Sequence, residues 1–169
     1  RHEGQTVVIK YGGSAIGADA DSDTTLQDVA ALRMVGMRVV LVHGGGKNIT
    51  ALLGKLNDPT RFENGYRVTD EAALNCAELA LSAEVNKAIV TDLANLEVKA
   101  VGISGKDGGL ITARVKNPVL GRVGEITRVD PKVLLTLLDA YFLPVVSPIA
   151  LGEDGAGLNC NADDAARAV

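Results

Sequence analysis

Arg38-Val39-Val40-Leu41-Val42-His43-Gly44-Gly45-Gly46 is the stretch on which the fold turns. Val39 to Val42 are four apolar residues in a row, three of them β-branched. A run without alternation reads as a strand buried on both faces. Three glycines stop it, and residues 47–56 then place Ile49, Leu52, Leu53 and Leu56 on one helical face. Strand, glycine loop and helix in that order point to β-α-β units and a parallel sheet under helices.

Toward the amino terminus the pattern repeats. Thr6-Val7-Val8-Ile9-Lys10 is a second strand, broken by Tyr11-Gly12-Gly13-Ser14, and Leu26, Val29, Leu32 and Val35 fall at helical spacing before Gly36. Toward the carboxyl terminus, Asn64-Gly65 inside 62–68 is a two-residue hairpin signal. Thr69 stands where it can cap a helix from Asp70, and a longer helical stretch covers 83–94. Strands are expected at 100–104, 110–115 and 124–127, with a turn at Asp107-Gly108. Asp130-Pro131 reads as a cap with proline at the first helical position. Pro144 to Ile149 reads as one apolar strand, and Asn161-Ala162-Asp163 opens a last helix. The expected class is α/β, a three-layer αβα sandwich with a mainly parallel central sheet.

The chain has 169 residues, about one domain. Its 17 basic and 21 acidic side chains give a net charge of −4, which argues against nucleic acid or an anionic membrane as partner. An anionic ligand must then be held by local geometry. The composition is 47% hydrophobic, with 19 glycines and only 3% aromatics, so the core is aliphatic. Cys76 and Cys160 are too few for a disulfide framework and match no metal-ligand spacing. No apolar run approaches the length of a membrane span, and the first residues are polar. The expectation is a soluble, intracellular protein.

Lys10 ends the first strand beside Gly12 and Gly13, at the sheet edge where open α/β folds bind ligands. Glycines there let backbone N–H groups approach a phosphate, and a lysine adds a point charge; otherwise Lys10 is an ordinary strand-end lysine. His43-Gly44-Gly45-Gly46 repeats that placement after the next strand. It also matches the oxyanion loop of lipases and esterases, but Gly102-Ile103-Ser104-Gly105-Lys106 has Lys106 where a nucleophile elbow needs glycine. The hydrolase reading therefore fails. Arg67, after the Asn-Gly turn, either grips a carboxylate or is a solvated strand arginine. Asn159, Asn161 and Asp163 alternate between a strand and a helix; Asn161 suits an N-cap, and Asp163 suits either the helix start or the orienting of lysines.

In order along the chain, Lys10-Tyr11-Gly12-Gly13-Ser14, Val42-His43-Gly44-Gly45-Gly46, Asn64-Gly65-Tyr66-Arg67-Val68-Thr69, Ser104-Gly105-Lys106-Asp107-Gly108-Gly109 and Asn159-Cys160-Asn161-Ala162-Asp163 resemble the amino acid kinase family. The Arg67 hairpin and the Pro144-Ile149 strand resemble its branch that uses N-acetyl-L-glutamate. The resemblance implies phosphoryl transfer from ATP, with Mg2+ held by the nucleotide, to the γ-carboxylate of N-acetyl-L-glutamate, a step of arginine synthesis. It implies that Lys10 stabilises the phosphoryl group in flight and that Asp163 organises the catalytic lysines. Gly12, Gly13 and Gly45 hold phosphates, while Gly45, Gly46, Arg67 and Asn159 bind acetylglutamate; no protein metal site is implied. It further implies a homodimer through this lobe, in the cytoplasm or in a eukaryotic organelle. Members carry a carboxyl-terminal lobe with most of the ATP site, so residues 1–169 are expected to be the amino-terminal lobe and inactive alone. Two rivals remain: a glutamate 5-kinase or aspartokinase type of the same family, and a non-catalytic module that binds an acylamino acid.

Overall fold

The structure is a computed structural model that describes residues 4–12 and 24–169. Its centre is a parallel sheet in the order β1 (Thr6–Tyr11), β2 (Arg38–His43), β8 (Leu143–Ser147) and β5 (Ala100–Ser104). Alternation along β2 shows why that strand is apolar throughout. Val39 and Leu41 pack with Val29 of α1 (Thr25–Met34) and with Ile89 and Leu93 of α4 (Asn86–Asn95). Val40 and Val42 face the other way, onto Leu134 and Leu138 of α5 (Lys132–Asp139) and Ala165 of α6 (Ala162–Ala168). Helices thus cover both faces, as a three-layer α/β sandwich requires.

A second sheet was not legible in the strand-helix rhythm. β6 (Ile111–Val115), β7 (Val123–Val129), β9 (Ile149–Gly152) and β10 (Gly157–Cys160) close into a four-stranded ring. The expected single strand over 144–149 is in fact two. Ser147 ends β8, Ile149 opens β9, and Pro148 between them supplies no N–H while its carbonyl accepts from Cys160 N at 2.9 Å. The chain thereby passes from the parallel sheet into the ring beside the carboxyl ends of β2 and β5.

Other boundaries also move. Asp70, not Thr69, caps α3 (Glu71–Glu78), its carboxylate accepting from Ala73 N at 2.8 Å. The stretch expected at 83–94 belongs to a longer rod, in which α3 runs through a π-helical segment (Leu79–Val85) directly into α4. Pro131 is the N-cap of α5, with Asp130 Oδ1 accepting from Lys132 N. Ile49 and Leu53 of α2 (Gly46–Lys55) are buried as expected, whereas Leu56 and Val35 lie just past their helices and are exposed. The Asn64-Gly65 turn joins β3 (Phe62–Glu63) to β4 (Tyr66–Arg67) with both turn residues at positive φ.

Candidate functional site

Lys10 and His43 both stand at the carboxyl ends of their strands, where Gly44 N donates to Tyr11 O at 3.0 Å. Their surroundings differ. Lys10 is exposed, and its Nζ meets Asp163 Oδ1 at 3.1 Å. Asp163 is held there because Asn161 caps α6, its Oδ1 accepting from the N–H groups of Asp163 and Asp164. The two residues expected to act together, 153 positions apart by number, are thus brought into contact. His43 is 0% exposed.

Gly45 has φ 151°, and a Cβ there would meet Leu81 Cδ2 at 2.6 Å and Val85 Cγ2 at 3.3 Å. Glycine is needed both for the backbone and for the close approach of the π-helical segment. At this end of α2 the carbonyl of Gly45 accepts from Asn48 N and Ile49 N. The amides of Gly45, Gly46 and Lys47 meet no acceptor among the described residues. They are the open donors of a helix N-terminus, which favours an anion.

Arg67 is 7% exposed, so the solvated alternative falls. Its Nη2 donates to Gly46 O and to Thr50 Oγ1, both at 2.8 Å, and its Nη1 to Thr60 Oγ1 at 3.2 Å. Phe62 lies under the guanidinium, 4.7 Å from ring centroid to Cζ. Burial pulls the guanidinium below its ordinary value, and it keeps its charge at pH 7. The fork is therefore partly engaged, and a bound carboxylate would compete with the threonine hydroxyls.

A cavity of about 590 Å³ gathers these groups: Gly45, Gly46, Thr50, Arg67 and Asn159 are among its lining residues. That volume suits a small metabolite. Asn159 lines this hollow, and its Nδ2 donates to Thr69 Oγ1 at 3.5 Å. Gly12 is described and partly buried, while Gly13 lies outside the described residues. Among the described residues no group of three or more His, Cys, Asp or Glu stands where it would hold a metal. Cys160 lines the cavity, but burial pushes its thiol up to about 12, away from nucleophilic use.

The amino acid kinase family model matches residues 5–169. The chain belongs to the amino acid kinase family. It is 45% identical to the acetylglutamate kinase of Carboxydothermus hydrogenoformans, over 98% of this chain and 60% of that protein. The acetylglutamate kinase of Gluconacetobacter diazotrophicus is 44% identical, over 100% of this chain and 58% of that protein. The chain thus spans about 60% of the length of these curated relatives. Among solved structures, a Streptococcus mutans UA159 protein superposes with a TM-score of 0.87 at 28% identity, covering 96% of this chain and 66% of that one. The N-acetylglutamate synthase of Neisseria gonorrhoeae, solved with coenzyme A and N-acetyl-glutamate, gives 0.75 at 25% identity, over 98% of this chain and 38% of that one.

Several site residues of this amino acid kinase family member were not singled out from sequence. Thr50 and Thr60 hold the arginine, and Asn86 contacts His43 across 43 positions. An asparagine inside a helix carries no local signal of such a contact.

Proposed function

We propose that this chain is the acetylglutamate-binding lobe of an ATP-dependent kinase that phosphorylates the γ-carboxylate of N-acetyl-L-glutamate in arginine biosynthesis. The observation that carries the reading is the placement of buried Arg67 beside the open amides at the start of α2, on the wall of one cavity. Two anion-binding features stand side by side, which suits an acceptor with two carboxylates. The likeness to named acetylglutamate kinases supports the same reading.

The chemistry follows from charge. A glutamate-type carboxyl, with a pKa near 4.3, is already ionised at neutral pH, so the attacking oxygen needs no general base. The barrier lies in bringing anions together and in stabilising the transferring phosphoryl group. Arg67 and Asn159 hold and orient the acceptor. The Gly45 and Gly46 amides face the carboxylate that is to attack and the phosphate it receives. Lys10, whose ammonium meets Asp163 at 3.1 Å, supplies a positive charge for the charge that grows only in the transition state. ATP, with Mg2+ on its phosphates, supplies the phosphoryl group.

The reading extends to a cytoplasmic or organellar homodimer through this lobe; Leu79, 60% exposed in the long rod, is an apolar side chain a second copy would cover. Light scattering at micromolar concentration tests the dimer. The function is tested by calorimetric titration with N-acetylglutamate, glutamate and aspartate, and by turnover of the complete reading frame with Mg-ATP. Selective binding and phosphorylation of N-acetylglutamate are expected. Preference for free glutamate or aspartate would move the chain to another branch of the family.

A further inference from the structure

We infer that His43 and Asn86 are positioning residues: together they fix the Gly44–Gly45 peptide so that the Gly45 N–H faces the ligand cavity. The inference deepens the proposed function and rests on it for the identity of the acceptor. Two contacts define the imidazole. Its Nδ1 lies 2.8 Å from Gly44 O, and its Nε2 lies 3.1 Å from Asn86 Nδ2. A carbonyl can only accept, so Nδ1 carries the proton and Nε2 is left to accept from the amide. Asn86 is pinned in turn: its Nδ2, whose two hydrogens are shared among three acceptors, also lies 3.0 Å from Val145 O and 3.3 Å from Ile103 O. Its Oδ1 accepts from Lys87 Nζ at 3.2 Å. Both His43 and Asn86 are fully buried.

The consequence reaches the site through one planar bond. In a trans peptide the C=O and the following N–H point in opposite directions. Holding Gly44 O against the buried imidazole therefore turns Gly45 N–H away from it, toward the side on which Gly45 lines the cavity. That amide has no acceptor of its own among the described residues. Two glycines in succession would otherwise leave this peptide free to rotate. The histidine thus supplies the rigidity that the glycines lack. Burial also lowers its pKa from 6.5 to about 4, so the neutral, Nδ1-protonated form persists at neutral pH.

Local structure is arranged around the pair. The π-helical segment ends at Val85, so Asn86 follows the wide turn directly, and π-turns of this kind recur at functional sites. Gly102 on β5 leaves room for it, because a Cβ there would run into Asn86 Oδ1 and come within 2.7 Å of Lys87 Nζ.

The test has one arm that needs no turnover. In protein labelled with 15N at histidine, the imidazole shifts of His43 are expected to show a protonated Nδ1 and a bare Nε2 at pH 7. A protonated Nε2 overturns the inference. In the complete reading frame, His43→Asn sets an amide donor close to the place of Nδ1, whereas His43→Leu has none. His43→Leu is expected to lower kcat by about 10- to 100-fold, as a misdirected oxyanion-type donor does, with the KM for ATP within about threefold of wild type. His43→Asn should recover kcat to within about fivefold. Equal, near-wild-type kcat in both variants would show a histidine that only fills space and overturns the inference. Should His43→Leu fail to fold, the 15N shifts and the His43→Asn kinetics still decide. If the wild type phosphorylates a different acceptor, the proposed function fails, and the same kcat comparison made with that acceptor still judges the pair.

Discussion

Two glycine loops follow two neighbouring parallel strands, and the structure uses them in opposite ways. After β2 the backbone is locked from behind, by His43 at 0% exposure, by the Asn86 amide and by Leu81 and Val85 packed on Gly45. At the end of β1 the proposed functional group is a side chain, Lys10, whose ammonium meets, among the described residues, the Asp163 carboxylate at 3.1 Å. The first arrangement presents fixed dipoles. The second presents a full charge on a four-carbon stem whose reach can follow a moving group. On the proposed function, a ligand that has to stay still belongs at the first, and a phosphoryl group in transit at the second.

Lys10→Ala breaks the second arrangement and should have the largest effect. Removing a donor that acts on transition-state charge costs about 10²–10³-fold in kcat, and a full charge costs at least that. The KM for N-acetylglutamate should hardly change. Because the ion pair with Asp163 is largely exposed, the melting behaviour should also stay near wild type. Steady-state kinetics with the complete reading frame check both, and a drop below about tenfold would remove Lys10 from the transfer step.

Gly45→Ala breaks the first arrangement, and its signature should be the reverse, with stability lost before chemistry is measured. The added methyl meets Leu81 Cδ2 at 2.6 Å in a packed interior, at a φ of 151° that L-residues avoid. Overpacking and backbone strain each cost about 1–3 kcal/mol, so denaturant unfolding should show a loss of roughly 2–6 kcal/mol. Unchanged stability would mean that the π-helical segment simply moves aside.

The contrast between the loops was only half visible in the sequence. Hydrophobic runs and glycine clusters revealed the central sheet, since Val39 to Val42 can be apolar throughout only if both faces are covered. The ring of β6, β7, β9 and β10 was hidden because the two pairings that close it, β7 with β10 and β6 with β9, join segments far apart, and because 149–152 and 157–160 are too short to show a period. Lys10, Gly45, Arg67 and Asn159 were legible as polar or glycine residues at strand ends and turns. The supports were not: Asn86, Thr50 and Thr60 reach their partners through tertiary contacts that no local pattern encodes.

Arg67→Lys sharpens the comparison from the substrate side. A lysine cannot reproduce a planar fork that bonds Gly46 O, Thr50 and Thr60 and that, on the proposed function, exchanges threonine contacts for a carboxylate. Hydrogen bonds to charged groups are worth about 1.5–3 kcal/mol, so the KM for N-acetylglutamate should rise roughly 10- to 150-fold. The bound carboxylate does not react, so kcat should fall less than KM rises. The KM for ATP should stay near wild type. A KM for N-acetylglutamate within threefold of wild type would leave Arg67 a structural arginine only.

The smallest effect is a pH dependence that belongs to the locked loop alone. Burial holds His43 at about 4 in the folded protein against 6.5 when unfolded, so between those values the unfolded chain binds more protons. Stability from this group is therefore complete above about pH 6.5 and is lost progressively as pH falls toward 4. At pH 5.5 the unfolded imidazole is mostly protonated and the folded one mostly neutral, which amounts to about 1 kcal/mol relative to pH 7.5. Denaturant unfolding at the two pH values should show that difference in the wild type and lose it in His43→Asn, which has no group to titrate there. Lys10→Ala, acting at the other loop, should keep it. If His43→Asn retains the full pH dependence, the titrating group lies elsewhere, and the imidazole is not held neutral by its burial.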